Sequence, residues 1–120
     1  MKTGRRITGS KYKKARKKKL YEMPGQARIV KFGGERRKHL SIRSGIKKVV
    51  LFKASVINVV TKDGKAKKAE IKNVIETPSN KFLARQNILT KGTIVETELG
   101  KVRITNRPSQ EGMVNGIVVE

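Results

Sequence analysis

The sequence predicts an all-β fold: a small closed or near-closed β-barrel of roughly six strands, carrying a long basic N-terminal extension that is disordered when free. Three observations lead there. From residue 46 to 120 there are 11 Val and 8 Ile but only 4 Leu, and β-branched residues suit strands better than helices. Short apolar runs alternate with polar residues and are separated by Gly, Pro and Asp turn signals, the spacing of a sandwich or barrel. The charge is lopsided. Residues 1–53 hold 19 Lys and Arg and 2 acids, whereas residues 54–120 hold 11 Lys and Arg and 7 acids. The first stretch repels itself and the second can build a core, so residues 1–25 read as the extension and 26–120 as the barrel body.

The elements follow in order. Residues 11–19 (KYKKARKKK) are basic at seven positions in nine, with no apolar stripe, so this is not an amphipathic membrane helix. Basic residues with no apolar run behind them do not make a secretory signal either. Pro24-Gly25 closes the extension. Residues 27–32 alternate as a strand and Gly33-Gly34 turns the chain. Residues 37–43 form a second strand with Leu40 and Ile42 on one face, and Ser44-Gly45 makes another turn. Residues 46–61 read as one bent strand, or two joined by a bulge. Asp63-Gly64 is a hairpin signal, with a return strand over 67–76 on which Ile71 and Ile75 share a face with Asn73. Residues 80–87 hold a short helical turn with Phe82 and Leu83 inward. A second hairpin pairs 93–98 with 101–106 around Leu99-Gly100, with Val102 and Ile104 facing the core. A polar loop over 107–112 leads to a last strand at 114–119. Closure would leave no exposed strand edges.

A formal charge of +21 and a pI near 10.9 imply a polyanionic partner. Lys11, Lys13, Lys14, Arg16, Lys17, Lys18 and Lys19 are too dense to pair internally and suit a phosphate backbone. Tyr12 and Tyr21 flank that run and can stack on exposed bases. The plainer reading is a solvated tail or a localisation signal. Arg36, Arg37, Lys38, Arg43, Lys47 and Lys48 form a second cluster around glycine turns, with Glu35 the one acid nearby. Its plainer reading is a pair of charged hairpin tips. His39 is a surface contact rather than a general base. Glu96 and Glu98 share a strand face with no third group to make a catalytic site, and Asp63 belongs to its turn. Without Cys, and with one His, there is no disulfide framework and no thiolate or multi-histidine metal site. There is no phosphate-binding glycine loop of known type, so no enzyme, cofactor or small-molecule substrate is expected. No stretch is long and apolar enough to span a membrane.

Several blocks, taken together, resemble a known family. KKAEIKNVIE (67–76) runs through Thr77-Pro78-Ser79-Asn80 to NILTKGTIVE (87–96) and GKVRITNRPSQEGMVNGIVVE (100–120). Ahead of them stand Arg5-Arg6-Ile7-Thr8-Gly9-Ser10 and ARKKKLYEMPG. These resemble the archaeal form of the eukaryotic-type protein eight family of the small ribosomal subunit, over nearly the whole chain and without the long eukaryotic insertions. The resemblance implies a cytoplasmic, ribosome-bound structural protein with a β-barrel body on small-subunit ribosomal RNA, a basic head threaded into that RNA, and neighbouring small-subunit proteins. It implies RNA contacts at Arg5, Arg6, Thr8, Gly9, Lys11 and Arg16 to Lys19, and at Gly45, Lys47 and Lys48. Ser10 and Ser44 stand where the family pattern has glycine, which would strain any positive-φ backbone there. The competing reading is a DNA-binding architectural protein, which would use the same charge on duplex DNA.

Overall fold

The computed structural model describes residues 4–12 and 16–119. Among these residues, eight strands run in the order β1 (Lys31–Phe32), β2 (Arg36–Ser41), β3 (Lys47–Ala54), β4 (Val56–Val60), β5 (Ala66–Glu76), β6 (Ile94–Thr97), β7 (Gly100–Ile104) and β8 (Asn115–Val118). Two short helices, α1 (Lys81–Arg85) and α2 (Pro108–Glu111), interrupt them. Strands β4 to β8 close into a five-stranded barrel, and β1, β3 and β2 form a separate three-stranded sheet.

The parity of the barrel dictates how it closes. Successive antiparallel neighbours reverse direction, so the first and fifth strands run the same way. The closing pair β4–β8 is accordingly parallel, with Asn58 opposite Asn115, Val59 opposite Gly116 and Val60 opposite Ile117. Asn58 Nδ2 donates to Asn115 Oδ1 across this seam at 3.0 Å. Inside, Ile57, Val59, Ala69, Ile71, Val95, Val102 and Ile104 are buried. They share one core with Leu51 and Ala54 of β3, and with Val30 and Leu89 from the loops. The three-stranded sheet is thus fastened to the barrel through the inner side of β3.

The run over 46–61 is two strands, broken at Ser55, and each half belongs to a different sheet. The Asp63-Gly64 hairpin forms, but by a three-residue loop. Gly64 N donates to Thr61 O at 3.0 Å, Thr61 N donates to Lys65 O at 2.9 Å, and Gly64 sits at φ 76. That is a type I turn closed by a left-handed glycine rather than a two-residue turn. The expectation that Ile71 and Ile75 share a face fails. The register shifts between Ile71 and Asn73, so Ala69 and Ile71 point inward, then Val74 does, and Ile75 is exposed. A bulge inserts one residue and exchanges the faces beyond it.

Three further differences are local. Most of 27–32 is not strand, and only Lys31–Phe32 pairs, in parallel with β3. The second strand ends at Ser41, leaving Ile42 outside it and exposed. Asn80 caps α1, its Oδ1 accepting from Phe82 N at 2.9 Å. On that single turn Leu83 and Ala84 occupy the inner stripe, so Phe82, expected inward with Leu83, faces out instead, with the Arg85 guanidinium 5.9 Å from its ring centre. The polar loop contains α2, begun by Pro108 and ended by Gly112 at φ 73. A Cβ on Gly112 would lie 3.1 Å from Val49 Cγ1, so this glycine lets α2 dock on β3.

Candidate nucleic-acid interface

The extension contributes two local structures. Residues 5–11 form a miniature hairpin. Arg5 bridges to Lys11, Gly9 N donates to Arg6 O at 2.8 Å, and Arg6 N donates to Ser10 O at 3.0 Å. Gly9 takes φ 78, and the loop repeats the geometry at Gly64. Arg5 Nη1 donates to Gly9 O at 2.8 Å, and the Arg6 guanidinium lies 5.5 Å from the Tyr12 ring centre. Thr8 and Ser10 hydroxyls are 3.3 Å apart on the exposed turn. Ser10 itself has no positive φ, because Gly9 takes that position.

The second structure is a 3-10 turn at Leu20–Glu22. Its Glu22 carboxylate receives a fork of two hydrogen bonds from Arg16 and one from Lys19 N at 3.1 Å. The Arg16 guanidinium first, and the Lys19 N–H second, hold the Glu22 carboxyl below its ordinary range. Lys17, Lys18, Lys19 and Tyr21 remain exposed around this clasp. Lys13 and Lys14 lie outside the described residues.

The second basic cluster resolves into one hairpin. Strands β2 and β3 pair antiparallel, with Lys38 opposite Val50, Leu40 opposite Lys48 and Ser41 opposite Lys47. Opposite residues share a face, so Lys38 and Lys48 stand on one side and Arg37 and Lys47 on the other. Arg36 adjoins Lys38 and Phe52 at the bulged end. Arg37 pairs with Glu35. The hairpin tip is the 3-10 turn Arg43–Gly45, closed by Ile42 N donating to Ile46 O at 2.8 Å. Ser44 adopts φ 63 and Gly45 φ 71 there. Ser44 thus takes a left-handed path while carrying a side chain. The turn exposes Arg43, Gly45 and Lys47 together.

Elsewhere the chemistry is bland. His39 is exposed on β2 opposite Val49. Glu96 faces Lys101 and Asn73 across its strand neighbours. Among the described residues, no three His, Cys, Asp or Glu side chains come together to hold a metal, and no helix is long and apolar enough to cross a membrane.

From residue 1 to 119 the chain matches the family model described as ribosomal protein S8e. The chain belongs to the ribosomal protein S8e family. It is 43% identical to the small ribosomal subunit protein eS8 of Nanoarchaeum equitans, over 97% of this chain and 92% of that one. It is 45% identical to the protein of the same name from Staphylothermus marinus, again over 97% and 92%. With that of Methanocella arvoryzae the identity is 41%, over 98% and 95%. S8e is a family of structural ribosomal components rather than of enzymes. Within this S8e chain, sequence reasoning missed one concave feature. A cleft lined by Arg28, Lys91 and Arg107 draws on segments 27–30, 79–91 and 107–109. Nothing in the spacing of such distant residues could have signalled it.

Proposed function

We propose that this chain is a structural constituent of the small ribosomal subunit. It binds ribosomal RNA through its basic extension (1–25) and the β2–β3 hairpin of the body (26–120), beside neighbouring small-subunit proteins, and so works in the cytoplasm on the ribosome. The barrel holds the hairpin as a rigid arm. The extension orders along the RNA and neutralises phosphates where helices pack together. Arg5, Arg6, Arg16, Arg36, Arg37 and Arg43 suit bidentate phosphate contacts, and the lysines act as mobile point charges. Thr8 and Gly9 present a hydroxyl and a close backbone approach at the head turn, as Gly45 does at the hairpin tip.

The observation that carries this reading is unneutralised charge. Residues 1–53 hold 19 Lys and Arg, yet among the described ones only Arg16 and Arg37 have a carboxylate partner. Such a density of unpaired cations suits a polyanionic partner. Filter binding of the full chain to small-subunit rRNA across salt concentrations tests it. Six to ten phosphate contacts make affinity fall roughly 10³–10⁵-fold between 50 and 200 mM salt. Deleting residues 1–20 weakens binding and flattens that slope. A slope that stays the same after the deletion, or a preference for duplex DNA over the rRNA, would contradict the reading.

A further inference from the structure

At the root of the extension, where the chain enters the body, lies a cleft of about 410 Å³. Its floor is apolar: Val30, Leu89 and Pro108 are buried, Leu83 is half-buried, and Ile29 is 52% exposed. Its cations are Arg28, Lys91 and Arg107, and no carboxylate lines it. Glu111 lies within electrostatic reach of Lys91 and Arg107, and its oxygens are taken by Asn106 Nδ2 at 3.0 Å and Arg107 N at 3.2 Å. Ser79 and Ser109 add two hydroxyls. We propose that this cleft receives one unstacked base of the RNA, its ring on the Ile29–Leu83 floor and its flanking phosphates on Arg28, Lys91 and Arg107.

This base site rests on the RNA-binding reading above and deepens it. A volume of this size falls at the small end of ligand clefts, suited to a single ring system rather than a protein side. An apolar floor with a cationic rim fits a nucleotide, which is flat and apolar on its faces and anionic along its backbone. Sequence-specific RNA contacts are made mostly to unpaired bases splayed out of the stack, and arginine guanidinium planes stack on them. Location decides between RNA and an acidic protein segment. Residues 27–30 follow directly on the extension, so a strand tracked by Lys17 to Tyr21 is delivered to the cleft mouth.

The test uses the full-length chain on purified small-subunit rRNA, with ultraviolet cross-linking and mass spectrometry of the adducts, and dimethyl sulfate footprinting alongside. The expected result is a nucleotide adduct on peptides covering 27–30 or 79–91, and one unpaired adenine or cytosine protected by the chain. Ile29→Asp is half-exposed in its native position and spares the core. It should re-expose that base and weaken binding at least about tenfold, the scale of losing one stacked base. Leu83→Trp, which fills the cleft, should do the same, with circular dichroism confirming its fold. Adducts confined to the extension, with Ile29→Asp footprinting like the parent chain, would overturn the cleft and leave RNA binding standing. Cross-links from these peptides to another protein in assembled subunits, with no nucleotide adduct, would overturn it in favour of a protein occupant. Failure of the full chain to bind rRNA would overturn both readings.

Discussion

Gly116 is the residue on which the barrel depends most tightly. A Cβ there would sit 2.5 Å from Val102 Cγ1, 2.8 Å from Arg103 O and 3.0 Å from Ile57 Cδ1. The carbonyl belongs to the neighbouring strand and cannot rotate away. Gly116→Val should therefore cost at least the roughly 1–3 kcal/mol of an overpacked core, read as a lower thermal midpoint. A midpoint unchanged from the parent would show that the seam has slack. Ser44 runs the other way. An L-residue at φ 63 carries about 1–2 kcal/mol of left-handed strain that glycine does not. Ser44→Gly should raise stability, less the entropy glycine adds to the unfolded chain. The sequence marked 44 as a strained position through the resemblance, whose pattern has glycine there, and the Ser44-Gly45 pair marked the turn. It gave no sign that 116 needs a glycine, since Ile57 and Val102 reach it only after closure. Asn106 ties the last loop, donating to Met113 O at 2.8 Å and accepting from Asn115 N at 3.0 Å as well as donating to Glu111. Its amide first, and the Arg107 N–H second, hold the Glu111 carboxyl below its ordinary range. A depressed folded-state pKa contributes stability above the unfolded value, and that contribution is lost as pH falls through the folded one. Glu111→Gln should then unfold more easily than the parent at neutral pH, with the gap closing in acid. A gap independent of pH would mean that ionisation is not what the loop uses.

Elements were legible wherever alternation is uninterrupted. Val102 and Ile104 face the core as their spacing predicts, and a hairpin joins β6 to β7, though its loop is Glu98-Leu99, one residue earlier than the Leu99-Gly100 turn expected, because Gly100 already pairs with Thr97. Alternation misled where the backbone departs from it. The bulge beside Asn73 turns Val74 inward in place of Ile75, and a bulge leaves no mark in a residue pattern. Likewise the apolar run through β3 and β4 conceals that Ser55 passes the chain from one sheet to another. The second basic cluster was readable as charge, but its arrangement was not. Pairing of β2 with β3 sorts it into two faces, and this sorting makes a prediction. If Lys38 and Lys48 each meet a phosphate, the double substitution Lys38→Ala, Lys48→Ala reduces the slope of log affinity against log salt by about two. An unaltered slope in filter binding would remove that face from the interface.

The molecule as a whole is extended for its length. Its radius of gyration is 19.9 Å, against about 14 Å for a compact chain of 120 residues. The excess reflects an extension whose hydrogen bonds, among the described residues, close locally at the head hairpin and the Arg16–Glu22 clasp. The body has one small core, and chains of this size gain stability when docked. The proposed division between a charged extension and a core-forming body was legible in composition, because charge and β-branched content change together along the chain. The cleft at their junction was not, because three separate segments build it. The central claim is that the extension and the β2–β3 arm bind one polyanion, the RNA of the small subunit. Sedimentation of a cell lysate through a sucrose gradient, with this chain followed by immunoblot at low and moderately high salt, tests it most directly. Co-migration with small subunits and with translating ribosomes, persisting at the higher salt, is the expected result. A peak in free or DNA-bound fractions, with none on subunits, would contradict it.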